Sequence, residues 1–445
     1  MTLSRLHFTI FFLLCVSVAS LSAQNKRAEK YYRQKMYKEA IPFLEKHLLK
    51  HPNDQQAKIK LAYSYRMINK MVQAEVLYNE IVFSDKVFSN VYLYYAEALM
   101  SNSKYSEAKY WLEKYLQSEP DDERASSLLI SCDMVPTIAS YFPNAVITGF
   151  EYNNHADDNC GVMTSDRQIV FSSDRANHTI FYDPKTARRL IRLFKSTISD
   201  DGAYSKPKLL SRSINSPRKN TSGITFSQLN TFAVFAKNSN TISKANTYNL
   251  QLYSCTMNKN LRPSDIKPLP FCNKELNYMH PCFNKDGRLL AFASDKAGGE
   301  GGTDIYIVEY SDKGWGKPQN LGTKINTSSH EGFPFFDSQD RLFFCSKGHP
   351  GLGGFDIFVS SQNEKGDWNT PINVGAPINS SHDDISFFLN ESMTHGIFAS
   401  SRNGGDDDLY WMNLEKSQDQ TAPVIATIGR IIPKDRFLVK NDSFE

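Results

Sequence analysis

Three aspartates recur at one interval in this 445-residue chain: Asp304, Asp356 and Asp408 stand 52 residues apart, each behind a glycine-rich stretch, in GGTD, GGFD and GGDDD. A carboxylate placed there can accept hydrogen bonds from the turn's own amides, so a structural role is the first expectation. Calcium is the alternative chemistry, but no single turn offers the six or more oxygens the ion prefers. Three histidines, His280, His330 and His382, also recur once per interval. Equivalent positions in successive repeats are spread apart, so they read as structural, and no metal or cofactor is expected. The sequence contains no GxSxG elbow, no HExxH pair and no GxxxxGK[ST] loop, so no catalytic residue is assigned and the chain reads as non-enzymatic.

The cysteines say more about compartment than about catalysis. Arg5, an apolar run from Phe8 to Val18 and the small residues of ASLSAQ follow in the order of a secretory signal peptide, with cleavage expected after Ala23. The run is shorter than the ~20 residues that span a bilayer, so export without a membrane span is expected. Cys15 sits behind Leu13 and Leu14, where a lipoprotein signal wants a small residue. Removing residues 1–23 leaves Cys132, Cys160, Cys255, Cys272, Cys282 and Cys345. Disulfides are permitted in an exported chain, and Cys272 with Cys282 is the one pair worth testing. With 51 Lys and Arg against 48 Asp and Glu, charge is nearly balanced and forms no stripe for phosphates, so nucleic acid is not an expected partner.

Two kinds of repeat must position these residues. Over residues 24–135 a period of 34 brings Ala28, Ala62 and Ala96 into register, and likewise Ala40, Ala74 and Ala108. This period with helical spacing means stacked helix pairs, in which small residues let neighbours approach while Leu44, Tyr78 and Leu112 fill between them. Pro52 and Pro120 mark turns, and ERASSLLISCDMV reads as a terminal capping helix. Past Pro136 the pattern becomes alternating, with short strands between Gly, Asn, Asp and Pro. Stretches beginning at His280, His330 and His382 align, and more divergent copies start at Asp157 and Ser222. A unit of 40 to 60 residues with four short strands indicates a propeller blade. Each unit is expected to run inner strand, turn, buried second strand, glycine-rich turn, third strand ending in Asp-Ile-Tyr or Asp-Ile-Phe, then an outer strand before Ile-Asn-Ser. Five blades are expected over 136–432, with NAVITGFEY closing the ring, or six if PVIATIGRII builds another; 433–445 is a tail.

The helical segment resembles the tetratricopeptide repeat in three copies. That resemblance implies a concave groove for an extended peptide or partner surface, with groove positions on Tyr32, Arg33, Ile59, Tyr63, Arg66, Leu93 and Glu97. Tyr63 and Arg66 stand at its centre, a ring beside a bidentate cation. The second segment resembles the WD-like (PD40-type) propeller of bacterial envelope proteins. Together they resemble Bacteroidota envelope proteins of type IX secretion and gliding. This implies a periplasmic scaffold held near the outer membrane by protein partners, through the groove and the propeller face. Barely 30 residues follow the last blade strand, so an OmpA-like domain, and with it peptidoglycan anchoring, is not expected. A propeller binding a glycan or peptide, or a hydrolase site in the propeller mouth, are the alternative readings.

Overall fold

The computed structural model describes residues 26–84, 87–154, 156–164, 167–175, 189–199, 203–216 and 218–414. The expected signal peptide, the tail and PVIATIGRII lie outside these residues. Seven helices come first: α1 (26–33), α2 (Tyr37–Leu48), α3 (Gln55–Arg66), α4 (Met71–Val82), α5 (Ser89–Ser101), α6 (Tyr105–Leu116) and α7 (Glu123–Met134). The alanines of the 34-residue period lie between them, for Ala28, Ala40, Ala62, Ala74, Ala96 and Ala108 are all fully buried. Tyr78 and Leu112 are buried completely in the same core. Asp54 and Asp122 start α3 and α7 by accepting from Ala57 N–H (3.1 Å) and Ala125 N–H (2.9 Å), which satisfies one of the free donors at each helix start. No helix among the described residues is long and apolar enough to cross a membrane.

The strands form five blades. The first holds β2 (Asp158–Met163), β3 (Gln168–Ser173), β4 (Arg192–Thr197) and β5 (Lys208–Leu209), paired in that order. The second holds β6 (Thr221–Phe226), β7 (Phe232–Asn238), β8 (Leu250–Met257) and β9 (Pro263–Pro268). In the third, β10 (Tyr278–Phe283), β11 (Leu289–Ser294) and β12 (Asp304–Ser311) carry β13 (Gly314–Trp315) and β14 (Gln319–Asn320) on the outer edge. The fourth holds β15 (Glu331–Phe336), β16 (Leu342–Ser346), β17 (Asp356–Ser360) and β18 (Ile372–Asn373). The last holds β19 (Asp384–Leu389), β20 (His395–Ser400) and β21 (Asp408–Asn413), and its fourth strand is β1 (Val146–Gly149), from NAVITGFEY as expected. The inner strands β2, β6, β10, β15 and β19 pack in a closed ring, the last against the first.

Every blade is held by the same stacked aromatic pair between its second and third strands. Phe171 faces Phe194, Phe235 faces Tyr253, Phe292 faces Tyr306, Phe344 faces Phe358 and Phe398 faces Tyr410, with centroids 5.5 to 6.2 Å apart. Such cross-strand pairs add to area burial and fix register. A second repeated device is an asparagine that grips the backbone of the third strand. Asn215, Asn326 and Asn379 each accept from and donate to one residue, Leu193, Ile305 and Ile357 respectively, at 2.8 to 3.1 Å. In the closing blade Asn153, just after β1, does the same to Leu409.

Three expectations change. Asp304, Asp356 and Asp408 open their strands instead of ending them. The carboxylates reach back to the turn before: Asp304 accepts from the N–H groups of Glu300 (2.6 Å) and Gly301 (3.1 Å), and Asp356 from Gly353 N–H (3.1 Å). The histidines are not equivalent. His280 lies inside β10 at the point where register with β11 shifts, a place taken in the next blades by Phe333 and Ser386. His330 instead precedes β15, and His382 lies two residues before β19, because the sequence alignment slid across the turn before each inner strand. All six cysteines are free. Cys272 packs with the core between the second and third blades and Cys282 with the core on the channel side, so the proposed pair faces different clusters.

Candidate functional site

The first helix of each pair, α1, α3 and α5, presents a row of tyrosines to one side of the array. Tyr32 and Tyr63 meet edge to face at 6.0 Å, and Tyr63 and Tyr94 at 5.5 Å, with Tyr37 completing the cluster at 5.6 Å from Tyr63. All three rings of the row are half-buried. Their hydroxyls have no hydrogen-bond partner among the described residues, so the row offers stacking faces together with unengaged donors. Burial and the neighbouring Tyr63 push the Tyr32 phenol up to about 12, which keeps it a neutral donor.

Beside this row lies an ion cluster. Arg66 lies over the Tyr94 ring at 4.4 Å and donates from Nε to Glu97 Oε2 at 2.6 Å, and Arg124 from α7 pairs with the other oxygen of Glu97. Burial alone would push the Glu97 carboxyl up, but the Arg66 and Arg124 guanidiniums outweigh it and hold the group below its usual range. One carboxylate between two guanidiniums leaves a net positive charge against the tyrosines. Arg66 is therefore already engaged and is not a free bidentate cation.

Of the seven expected groove positions, Tyr32, Tyr63, Arg66 and Glu97 come together. Arg33 points away and pairs with Glu29 at 2.8 Å, and Ile59 packs at the edge of the helical core. Leu93 is a correction: at 6% exposure it belongs to the core, and its neighbour Tyr94 takes the groove place. The signal for Tyr94 was in the chain as a spacing of 31 shared by Tyr32, Tyr63 and Tyr94, which cuts across the 34-residue period. The rings that touch thus follow a 31-residue diagonal and not the 34-residue register.

One edge of the array rests on the propeller. Tyr105 OH donates to Leu352 O at 2.7 Å and Ser127 to Gly348 O at 2.5 Å, while Ser131 accepts from Gly351 N–H at 3.1 Å. All three partners lie in the glycine-rich turn between β16 and β17. Ser381, in the turn before β19, donates to Ser101 O at 2.7 Å, and Asn69 donates to Asp383 at 3.3 Å. Lys347 holds Asp383 at 3.1 Å, and its charge also reaches Glu97. The turns thus face the groove's ion cluster. Within the propeller, His280 is carried to the floor of the central channel, and among the described residues no three His, Cys, Asp or Glu side chains converge as a metal site.

No family model matches the chain, and no curated protein matches it. Solved structures do resemble its parts. The first tetratricopeptide repeat domain of Spaghetti bound to an HSP90 peptide is 24% identical over 26% of this chain and 93% of that one, with a TM-score of 0.24. TolB from Acinetobacter baumannii is 10% identical over 65% of this chain and 68% of that one, with a TM-score of 0.30. An alpha-L-arabinofuranosidase from Lactobacillus brevis is 10% identical over 57% of this chain and 90% of that one, with a TM-score of 0.38. Likenesses this distant concern the outline of a fold and carry no argument about activity.

Proposed function

We propose that this chain is a non-enzymatic protein-interaction scaffold that holds an extended segment of a partner protein along the tyrosine row of its helical array. The observation that carries the reading is the row Tyr32, Tyr63 and Tyr94, with unengaged hydroxyls beside a net positive cluster. Rings of this kind stack against apolar or proline-containing segments, and their hydroxyls suit backbone carbonyls. Tyrosine and arginine are also the residue types that most often dominate interface energies. The resemblance of the repeat combination to Bacteroidota envelope proteins supports the finer assignment. In it the protein is exported, acts in the periplasm near the outer membrane, binds envelope proteins and serves type IX secretion or gliding.

The test is crosslinking in the native cell followed by purification of the full chain and of a Tyr63→Leu, Tyr94→Leu variant. Leucine keeps packing against the helices but removes both ring faces and both donors, and it leaves the Arg66 and Glu97 pair in place. The scaffold reading expects an envelope protein that co-purifies with the native chain and is lost from the variant at unchanged melting temperature. Undiminished capture by the variant would overturn the groove. N-terminal sequencing checks export: a mature start at Gln24 is expected, and an intact Met1 would refute it.

A further inference from the structure

The propeller encloses a cavity of about 440 Å³ along its axis, lined by all five inner strands. This lies within the range of small-ligand pockets, at its lower end. Its walls are apolar, chiefly Val162, Phe226, Phe283, Phe335 and Phe388. The helical array rests on the turn between β16 and β17 and the turn before β19, while residues of the turns between first and second strands, Gln228, Asn284 and Asn390 with the charged Arg167, Lys285, Asp337 and Glu391, line the mouth of the cavity. The floor is built in an unusual way. All five inner strands break register once, and the residue at each break has left-handed backbone geometry: Cys160 (φ 51°), Gly223 (54°), His280 (54°), Phe333 (50°) and Ser386 (55°). Four of these are not glycine, and such strain persists only where the surroundings enforce it.

Three polar features mark that floor. The His280 and Phe333 rings stack at 3.6 Å, and Phe333 N–H donates to His280 Nδ1 at 3.3 Å. The proton of the neutral ring is therefore on Nε2, which has no partner among the described residues. Ser386 Oγ is buried, also without a partner. Burial pushes His280 down to about 3 and Cys160 up to about 12, so neither carries charge at neutral pH. An uncharged floor with one accessible unused donor, the His280 Nε2–H, below phenylalanine walls fits one kind of guest. We infer that the channel is a binding site for a neutral aromatic group bearing a hydrogen-bond acceptor at its leading edge, either a free small molecule or an aromatic side chain of a peptide. The inference is independent of the helical groove, so either can fail without the other.

The probe is 4-fluoroacetophenone, added to the full-length protein and followed by fluorine NMR. Saturable binding is expected, weakened about fivefold by His280→Phe, which keeps a ring against Phe333 and removes the Nε2 donor. Val162→Phe should abolish it by filling the cavity, and Gln228→Trp at the mouth serves if Val162→Phe lowers the melting temperature. An acetylated, amidated Ala-Ala-Phe-Ala-Ala peptide that displaces the probe identifies the guest as a side chain on a chain; failure to displace identifies a free small molecule. No saturable binding, binding unchanged in both cavity variants, or equal binding of 4-fluorobenzoate would overturn the site.

Discussion

Asn379 touches Ile357 twice, through an acceptor to its N–H and a donor to its C=O, and the same grip recurs at Asn215, Asn326 and Asn153. Ile357 is fully buried and its carbonyl also receives Val374 N–H, so Asn379→Leu orphans only the amide. An unsatisfied buried donor costs about 1 to 3 kcal/mol, so denaturant unfolding should show a loss of that size. Buried acids give a second expectation. Burial and the nearby Asp383 and Asp157 push Asp407 up to about 8, and burial pushes Glu331 up to about 7. Both folded values exceed the unfolded ones, so protonation favours the fold. Their contribution is full below about pH 4 and is lost as pH rises through 7 and 8. Asp407→Asn should therefore raise the melting temperature at pH 8 and leave it unchanged near pH 4, as a pH series of melts would show.

At the scale of elements, the glycine-rich turns are crowded more than they are flexible. A Cβ on Gly353 would sit 2.2 Å from Ser381 O, a backbone atom that cannot move aside, whereas Gly366 has φ +84° with open space around it. Gly353→Ala should lower the melting temperature well beyond Gly366→Ala, which costs about 1 kcal/mol through its backbone alone. The blade repeat was legible because its turns and its buried second strands recur in residue type. The inner-strand breaks were not, because Cys160, Gly223, His280, Phe333 and Ser386 share a backbone conformation and no chemistry. The same gap made three histidines look equivalent. Ile-Asn-Ser was visible as punctuation, but its asparagine's work shows only once the strand it grips lies beside it.

For the whole molecule, each array was readable alone and their contact was not. The docking uses backbone carbonyls of Gly348 and Leu352 and hydroxyls of Ser127 and Tyr105, groups that carry no pattern in a sequence. Tyr141 and Phe142, between the arrays, belong to the propeller: Tyr141 N–H bonds Val374 O at 2.8 Å and Phe142 stacks between Phe343 and Phe387. Fragments 24–135 and 136–445 should each fold cooperatively. In the full chain Tyr105→Phe with Ser127→Ala should loosen the docking without unfolding either part. Small-angle scattering would then report a larger radius of gyration at unchanged circular dichroism. An unchanged radius would mean that the remaining contacts, such as Ser381 to Ser101, suffice.

Ring closure by β1 also decides how the molecule carries load. Once a partner pulling on the helical array has broken its docking on Gly348, Leu352 and Ser381, tension enters the propeller through the chain just ahead of β1. It first meets Tyr141, hydrogen-bonded to Val374 and to Arg341, and the wedged ring of Phe142. Only when these yield does it reach the ladder from Val146 to Gly149 against β21, with Asn153 clamped on Leu409 behind it. A tug on one end is thus shared between the fourth blade and the fifth, including the β1–β21 seam that closes the ring, before any blade can peel away.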